Sequence, residues 1–94
     1  MTKAMSHDLA KDHIRVNTVC IGMIRSAQLE ERWKREEPGL TWEQYAQDTR
    51  HRIPLGRIGN TEEAAKVIVF MASDAASYIT GTSINIDGGS APAL

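Results

Sequence analysis

The sequence has few cysteine, histidine and aromatic residues. Its 94 residues include one cysteine, Cys20, three histidines and only five aromatic side chains. A single thiol excludes an internal disulfide, which favours a reducing compartment such as the cytoplasm. The histidines have no partner at metal-ligand spacing, so we expect no metal site. Cys20 lies in an apolar run and is predicted to be a small buried hydrophobic residue.

Long apolar runs and an excess of charge of either sign are also missing. No stretch approaches the length of a membrane span, and the N-terminus does not resemble a secretory signal. The net charge is −1, so nothing favours nucleic acid or an anionic membrane as a partner. Hydrophobic residues make up 41% and charged residues 24% of the chain, which indicates one small globular domain of marginal stability.

The spacing of apolar residues predicts alternating helices and strands. Helices are expected over residues 1–12, 27–37, 41–52 and 61–73, and strands over residues 14–20 and 83–87.

Local signals refine the helix ends and the surface charges. Thr41 and Gln44 predict a capping box, and Thr61 is predicted to cap the last helix. Glu30 and Lys34 are spaced for an i,i+4 ion pair.

The order of these elements indicates part of an α/β sandwich. Strands 14–20 and 83–87 are joined by a long crossover, so they should run parallel with a right-handed connection. Two parallel strands do not make a stable sheet, and one edge of strand 14–20 should lack a neighbour. No N-cap precedes Met1, so the first helix is expected to begin upstream.

Three strings resemble the last third of short-chain dehydrogenases/reductases: IRVNTVCIG at 14–22, the segment IPLGRIGNTEEAAKVIVFMASDAASYITG at 53–81, and INIDGG at 84–89. The resemblance implies that residues 1–94 form a single partial domain, the C-terminal portion of a Rossmann-type doubly wound parallel sheet. It also implies NAD or NADP as cofactor and hydride transfer between nicotinamide and a carbonyl or alcohol carbon.

The catalytic Tyr-x-x-x-Lys of that family is absent from the sequence. Tyr45 is followed four residues later by Thr49, and Tyr78 by Thr82. The seven glycines include no phosphate-binding Gly-rich motif. By comparison with the family, the missing tyrosine and lysine would precede Met1. We therefore expect no catalytic residue in this chain, no activity by itself and no tight dinucleotide binding.

The family resemblance assigns cofactor contacts to the turn after the first strand, within an intact enzyme. Gly22 and the following backbone would line the nicotinamide, and the Ile24 backbone would bind its carboxamide. The Ser26 hydroxyl would approach that end of the cofactor or its pyrophosphate. Ile21 stands where the family has proline, and Ser26 where it has threonine. The alternative is that Gly22 only turns the chain.

Residues 27–52 lie where the family places a lid over the substrate. Trp42 and Tyr45 are candidate substrate contacts, whereas Trp33 is favoured as an anchor. The alternative is that all three aromatic side chains attach two short helices to the body. Neither the substrate nor the choice between NAD and NADP follows from the sequence.

Helix 61–73 and strand 83–87 resemble the elements by which these enzymes pair. The helix is apolar over much of its surface, so it should be buried on more than one side. We expect self-association into a homo-oligomer, or assembly with an intact homologue. The alternative function is a non-catalytic, self-associating interaction module from a truncated gene. The predicted apolar face of the helix is formed by Ala64, Val67, Ile68 and Met71.

Overall fold

A computed structural model describes residues 1–91 of the chain as four helices, four short strands and two 3₁₀ turns. The helices are α1 (Thr2–Ala10), α2 (Ala27–Glu36), α3 (Trp42–Thr49) and α4 (Thr61–Ala72). The strands are β1 (Thr18–Ile21), β2 (Ile24–Arg25), β3 (Gly59–Asn60) and β4 (Ser83–Ile86), and the 3₁₀ turns are Arg50–Arg52 and Asp74–Ala76.

The strands pair in two parallel couples. β1 pairs with β4, from Thr18 opposite Ser83 to Ile21 opposite Ile86. β2 pairs with β3 over two residues. The parallel pairing of the two predicted strands is therefore confirmed, and among residues 1–91 β1 has no second neighbour.

The first strand starts later than predicted, at Thr18 instead of Ile14. β4 begins only at Ser83, so the β1–β4 ladder gives residues 14–17 no strand partner. The preceding segment is held by the backbone bond from the Gly81 N–H to the Val16 carbonyl at 2.8 Å and by Asn17, whose Nδ2 donates to the Ile79 carbonyl and whose Oδ1 accepts from the Thr82 N–H, both at 3.1 Å. Asn17 thus adds side-chain bonds where the regular ladder has not yet begun.

Both ends of α4 are tied to residues outside the helix. Its N-cap is Asn60, one residue before the predicted Thr61, and Asn60 forms a capping box with Glu63. At the other end the Arg15 guanidinium donates to the carbonyls of Met71 and Ser73, at 2.9 and 3.2 Å, and also to the Ile79 carbonyl beyond the helix, at 3.3 Å. Carbonyls at a helix C-terminus lack intrahelical partners, so this arginine satisfies groups that would otherwise need water.

The molecule has a small core and an unusually large surface. Its radius of gyration is 16.4 Å, against about 12 Å for a compact domain of this length. The accessible surface is 6989 Å², roughly 1,600 Å² more than the ~5,400 Å² typical of a folded monomer of 10.4 kDa. An excess of this size on one chain is about twice the ~800 Å² that each partner buries in a standard protein–protein interface.

Apolar side chains that sequence reasoning placed inside are exposed. On α4 only Ala64 and Met71 are buried, whereas Ile68 and Val69 are 43% and 66% exposed. Cys20 is exposed as well, so the prediction of a buried thiol is wrong for this chain. Cys20 lies on β1, the strand that pairs on one side only within residues 1–91.

Candidate cofactor and substrate site

The turn between β1 and β2 is built around a close backbone approach at Gly22. The Gly22 N–H donates to the Ile86 carbonyl at 2.9 Å. A Cβ at this position would lie 2.6 Å from Asp87 Cβ and 3.0 Å from its Cα. Only glycine leaves room for this approach, so Gly22 has a packing role whether or not it also contacts a cofactor.

Ile24 is buried at the start of β2, opposite Gly59 of β3. Its Cδ1 lies 2.7 Å from the place where a Gly59 Cβ would be. The Ile24 side chain therefore fills the space left by the glycine and fixes the backbone that follows Gly22.

Ser26 is the N-cap of α2. Its hydroxyl oxygen accepts from the Leu29 N–H at 3.2 Å. A serine hydroxyl carries one donor and two acceptor positions, so this bond leaves the O–H hydrogen for an acceptor on a ligand.

Gly22, Ile24 and Ser26 line a single cavity of about 360 Å³. The cavity lies beyond the carboxyl end of β1, the position where parallel sheets bind ligands. Its volume is near the lower end for small-molecule sites, and its lining of hydroxyl, guanidinium and apolar groups suits one polar ring better than a whole dinucleotide. The remaining lining residues come from α2: Gln28, Leu29, Glu31, Arg32 and Arg35.

The aromatic residues of the predicted lid form a cluster of their own. The ring centres of Trp33 and Trp42 are 5.6 Å apart in an edge-on arrangement, and those of Trp42 and Tyr45 are 5.8 Å apart. Trp33 Nε1 donates to the Leu40 carbonyl at 2.9 Å. Tyr45 is only 8% exposed. These contacts attach α2 to α3, and residues 27–49 are called the α2–α3 segment below.

Trp42 opens into a different cavity from the one at Ser26. This second cavity has a volume of about 430 Å³ and includes Arg25, Glu43 and Arg57 in its lining. The structure thus brings the three predicted cofactor residues together. Within residues 1–91, Trp42 and Tyr45 do not line the cavity formed at Gly22, Ile24 and Ser26.

Sequence reasoning missed the partners of two charged residues. Glu30 forms no ion pair with Lys34 within residues 1–91; its Oε1 accepts from Arg25 Nε at 2.9 Å. Arg25 also stacks on the Trp42 ring, with the guanidinium carbon 4.3 Å from the ring centre. Spacing along a helix could not reveal these contacts, because Arg25 lies on β2, outside both helices.

One glutamate near the second cavity has a displaced pKa. Both Glu63 oxygens accept from the Arg57 guanidinium, at 2.8 and 2.6 Å. This hydrogen bond, together with that from the Asn60 N–H, lowers the pKa of Glu63 to about 2. The carboxylate therefore stays ionised and acts as a fixed cap for α4, not as a proton donor near neutral pH.

The comparison with known families agrees with this geometry. The profile of a family described as enoyl-(acyl carrier protein) reductase matches residues 1–91. The chain belongs to the short-chain dehydrogenase/reductase family. The predicted fold is confirmed: the chain is the C-terminal portion of the Rossmann-type parallel sheet of that family.

Curated relatives in this family include oxidoreductases. The chain is 46% identical over 90 residues to the 3-oxoacyl-[acyl-carrier-protein] reductase of Thermotoga maritima, covering 95% of this chain and 32% of the relative. It is 41% identical over 91 residues to an uncharacterized oxidoreductase of Bacillus subtilis, with coverage of 95% and 32%. The chain thus spans about a third of the length of the curated relatives it matches.

Solved structures of short-chain dehydrogenases/reductases superimpose on the whole described fold. A short-chain oxidoreductase of Pseudomonas aeruginosa matches with a TM-score of 0.82 at 38% identity, covering 99% of this chain and 37% of that protein. YwfH, described as an NADPH-dependent reductase in bacilysin biosynthesis, matches with a TM-score of 0.87 at 32% identity, covering 99% and 36%.

Two further findings concern ions and membranes. Within residues 1–91 the structure groups no three His, Cys, Asp or Glu side chains that could hold a metal ion. None of the described helices is long and apolar enough to cross a bilayer.

Proposed function

We propose that this chain supplies the C-terminal part of an NAD(P)-dependent oxidoreductase that moves a hydride between nicotinamide and a carbonyl or alcohol carbon. The observation that carries the proposal is the cavity of about 360 Å³ that Gly22, Ile24 and Ser26 line together. Its position beyond the carboxyl end of a parallel strand is the usual ligand position of this architecture.

Each of the three residues has a distinct part in binding. Gly22 brings backbone close to the cavity without a side chain, and Ile24 offers backbone groups to the carboxamide. Ser26 keeps a hydroxyl hydrogen that can be donated to the cofactor. When bound there, a nicotinamide cofactor supplies or accepts the hydride.

The proposal includes a dependence on a further polypeptide segment. The sequence holds neither a Tyr-x-x-x-Lys pair to exchange the substrate proton nor a Gly-rich turn to hold the pyrophosphate. We therefore expect neither turnover nor tight dinucleotide binding from the chain alone. The surface excess of roughly 1,600 Å², about twice one partner's share of a standard interface, supports a further segment that packs on this chain.

A second candidate function is a non-catalytic module that assembles with itself or with an intact homologue. It is favoured by the exposed apolar run Ile68, Val69 and Phe70 on α4, which are 43, 66 and 45% exposed. Exposed apolar patches mark association surfaces. Sedimentation tests this second candidate: the module should form stable oligomers without any added segment, and a concentration-independent monomer with a cooperative melt would contradict it.

The oxidoreductase proposal is tested in a chimaera. The last third of the Thermotoga maritima reductase is replaced by this chain, and dinucleotide oxidation is followed with that relative's 3-oxoacyl substrate. The chimaera should turn over, and Ser26→Ala should raise the KM for the dinucleotide about five- to ten-fold, the effect of one lost hydrogen bond.

The matched control is Thr41→Ala. Thr41 caps α3 with its hydroxyl as Ser26 caps α2, but it does not line the cavity at Ser26 in the described residues. It should lose a similar cap energy and leave that KM unchanged. A folded but inactive chimaera, or equal KM shifts in both variants, would overturn the proposal.

A further inference from the structure

The Arg25 side chain joins both helices of the α2–α3 segment although it belongs to neither. Its Nε lies 2.9 Å from Oε1 of Glu30 on α2. Its guanidinium carbon lies 4.3 Å above the ring of Trp42 on α3. One planar cation thus meets a carboxylate at its edge and an aromatic ring at its face, an arrangement that lysine's compact ammonium cannot reproduce.

Arg25 also sits between two candidate cofactor residues. Successive side chains of a strand point to opposite faces. The buried Ile24 therefore packs at Gly59, while the exposed Arg25 faces Trp42 of α3. Ser26, the next residue, caps α2. The three consecutive residues therefore connect the cavity wall, α3 and α2.

The two contacts of Arg25 support each other. Arg25 and Glu30 are about half and one-third exposed, at 48% and 37%, so either contact alone is weak in water. Because the carboxylate fixes the plane of the guanidinium, the stacking on Trp42 loses less conformational entropy. The same ring makes the edge-on contact with Trp33 and the tilted contact with Tyr45. Fixing the orientation of Trp42 therefore stabilises the whole aromatic cluster.

We propose that Arg25 is a positioning residue that clamps α3, the helix carrying Trp42 and Tyr45, to the end of β2 and so couples the two elements. A role of this coupling in covering a substrate rests on the oxidoreductase function proposed above. The clamp itself requires only the present chain.

A double-mutant cycle followed by amide hydrogen exchange tests the clamp in the full chain. The variants are Arg25→Gln, Trp42→Leu and the two combined. Arg25→Gln should speed exchange of the α3 amides about five-fold, with the α4 amides unchanged as internal reference. In the Trp42→Leu background the same replacement should have little further effect, because the ring it stacks on is gone.

Arg32→Gln is the matched control. Arg32 is another exposed arginine of this region, 3.2 Å from Glu36, but it pairs within α2. Its replacement should leave α3 exchange unchanged. Equal α3 exchange in the Arg25 and Arg32 variants, multiplicative effects in the double variant, or equal acceleration of α4 would each overturn the clamp.

Fluorescence gives a second readout, since Trp33 and Trp42 are the chain's two tryptophans and both lie in the α2–α3 segment. Acrylamide should quench the Arg25→Gln variant more strongly than the parent chain and the Arg32→Gln control; equal quenching would contradict the proposal. Neither measurement uses a dinucleotide, so a failed clamp and a failed oxidoreductase proposal are distinguishable.

Discussion

The α2–α3 segment and the body, formed by α1, β1, α4 and β4, are stabilised by contacts of different range. The segment is held by helix caps and by an aromatic cluster whose members lie twelve residues apart or fewer along the chain. The body depends on bonds between distant residues, such as those from Arg15 to the Met71, Ser73 and Ile79 carbonyls.

This difference is seen in the side chains that each region leaves exposed. The segment buries its own anchors, including Leu29, Tyr45 and Thr49. The body leaves apolar residues of α4 exposed, together with Cys20 and Ile21 of β1. Within residues 1–91 the region built from local contacts buries its anchors, whereas β1 of the parallel sheet has a neighbour on one side only.

The largest effect is expected from Tyr45→Ala, which should destabilise the α2–α3 segment and leave the stability of the body unchanged. Removing a buried aromatic side chain costs about 3 kcal/mol. Hydrogen exchange should show this loss at the α3 amides and leave the α4 amides unchanged. Tyr45→Phe retains the ring and should cost less than about 1 kcal/mol. Equal losses in α3 and α4 would mean that the two regions unfold as one unit.

Arg15→Met should act on the body. It removes the donor to two carbonyls at the end of α4 and to the Ile79 carbonyl beyond it, and it should lower the free energy of unfolding by about 2 kcal/mol, measured by urea denaturation. Arg32→Met is the control, since its ion pair is half exposed and should contribute less than about 1 kcal/mol. Similar losses in both variants would remove the distinction between long-range and local contacts.

A gain in stability is expected from His13→Gly. His13 has φ 61°, and the bonds from His13 N–H to Ala10 and from Ile14 N–H to Leu9 form a Schellman motif at the end of α1. Glycine adopts this conformation without strain, so the body should gain about 1 kcal/mol in thermal or urea unfolding. His13→Ala keeps the Cβ and should give no gain; a gain in both variants would contradict the explanation.

The smallest effect concerns pH. Since the pKa of Glu63 falls from 4.5 to about 2 on folding, its contribution is fully present above pH 4.5 and is lost as the pH falls through about 2. The carboxyl carbon of Glu63 should titrate near pH 2 in NMR spectra. In Arg57→Gln the midpoint should rise towards 4.5, and an unchanged midpoint would exclude Arg57 as the main cause.

Sequence patterns predicted local structure well, because caps depend on neighbouring residues. The Thr41–Gln44 capping box formed as predicted, and the cap of α4 was wrong by one residue. The late start of β1 at Thr18 and the two-residue β2–β3 couple were missed. Both depend on partners more than 30 residues away, which no local pattern encodes.

For the candidate site, too, the sequence predicted which residues lie together but not their long-range contacts. The resemblance of the 22–26 turn named three residues that the structure gathers at one cavity. It could not reveal that Gly22 packs on Asp87 or that Arg25 joins Glu30 to Trp42. The first contact arises when β1 pairs with β4, and the second when β2 is placed beside α3. The roles of Gly22, Ile24, Ser26, Trp42 and Tyr45 towards ligands stay predictions.

Calorimetric titration with NADH and NADPH tests the central claim, that this chain forms only one side of a dinucleotide site. The chain alone should give no stoichiometric binding at micromolar concentration, while the chimaera with the Thermotoga maritima reductase should bind one dinucleotide per chain. Tight one-to-one binding by the 94-residue chain itself would contradict the account.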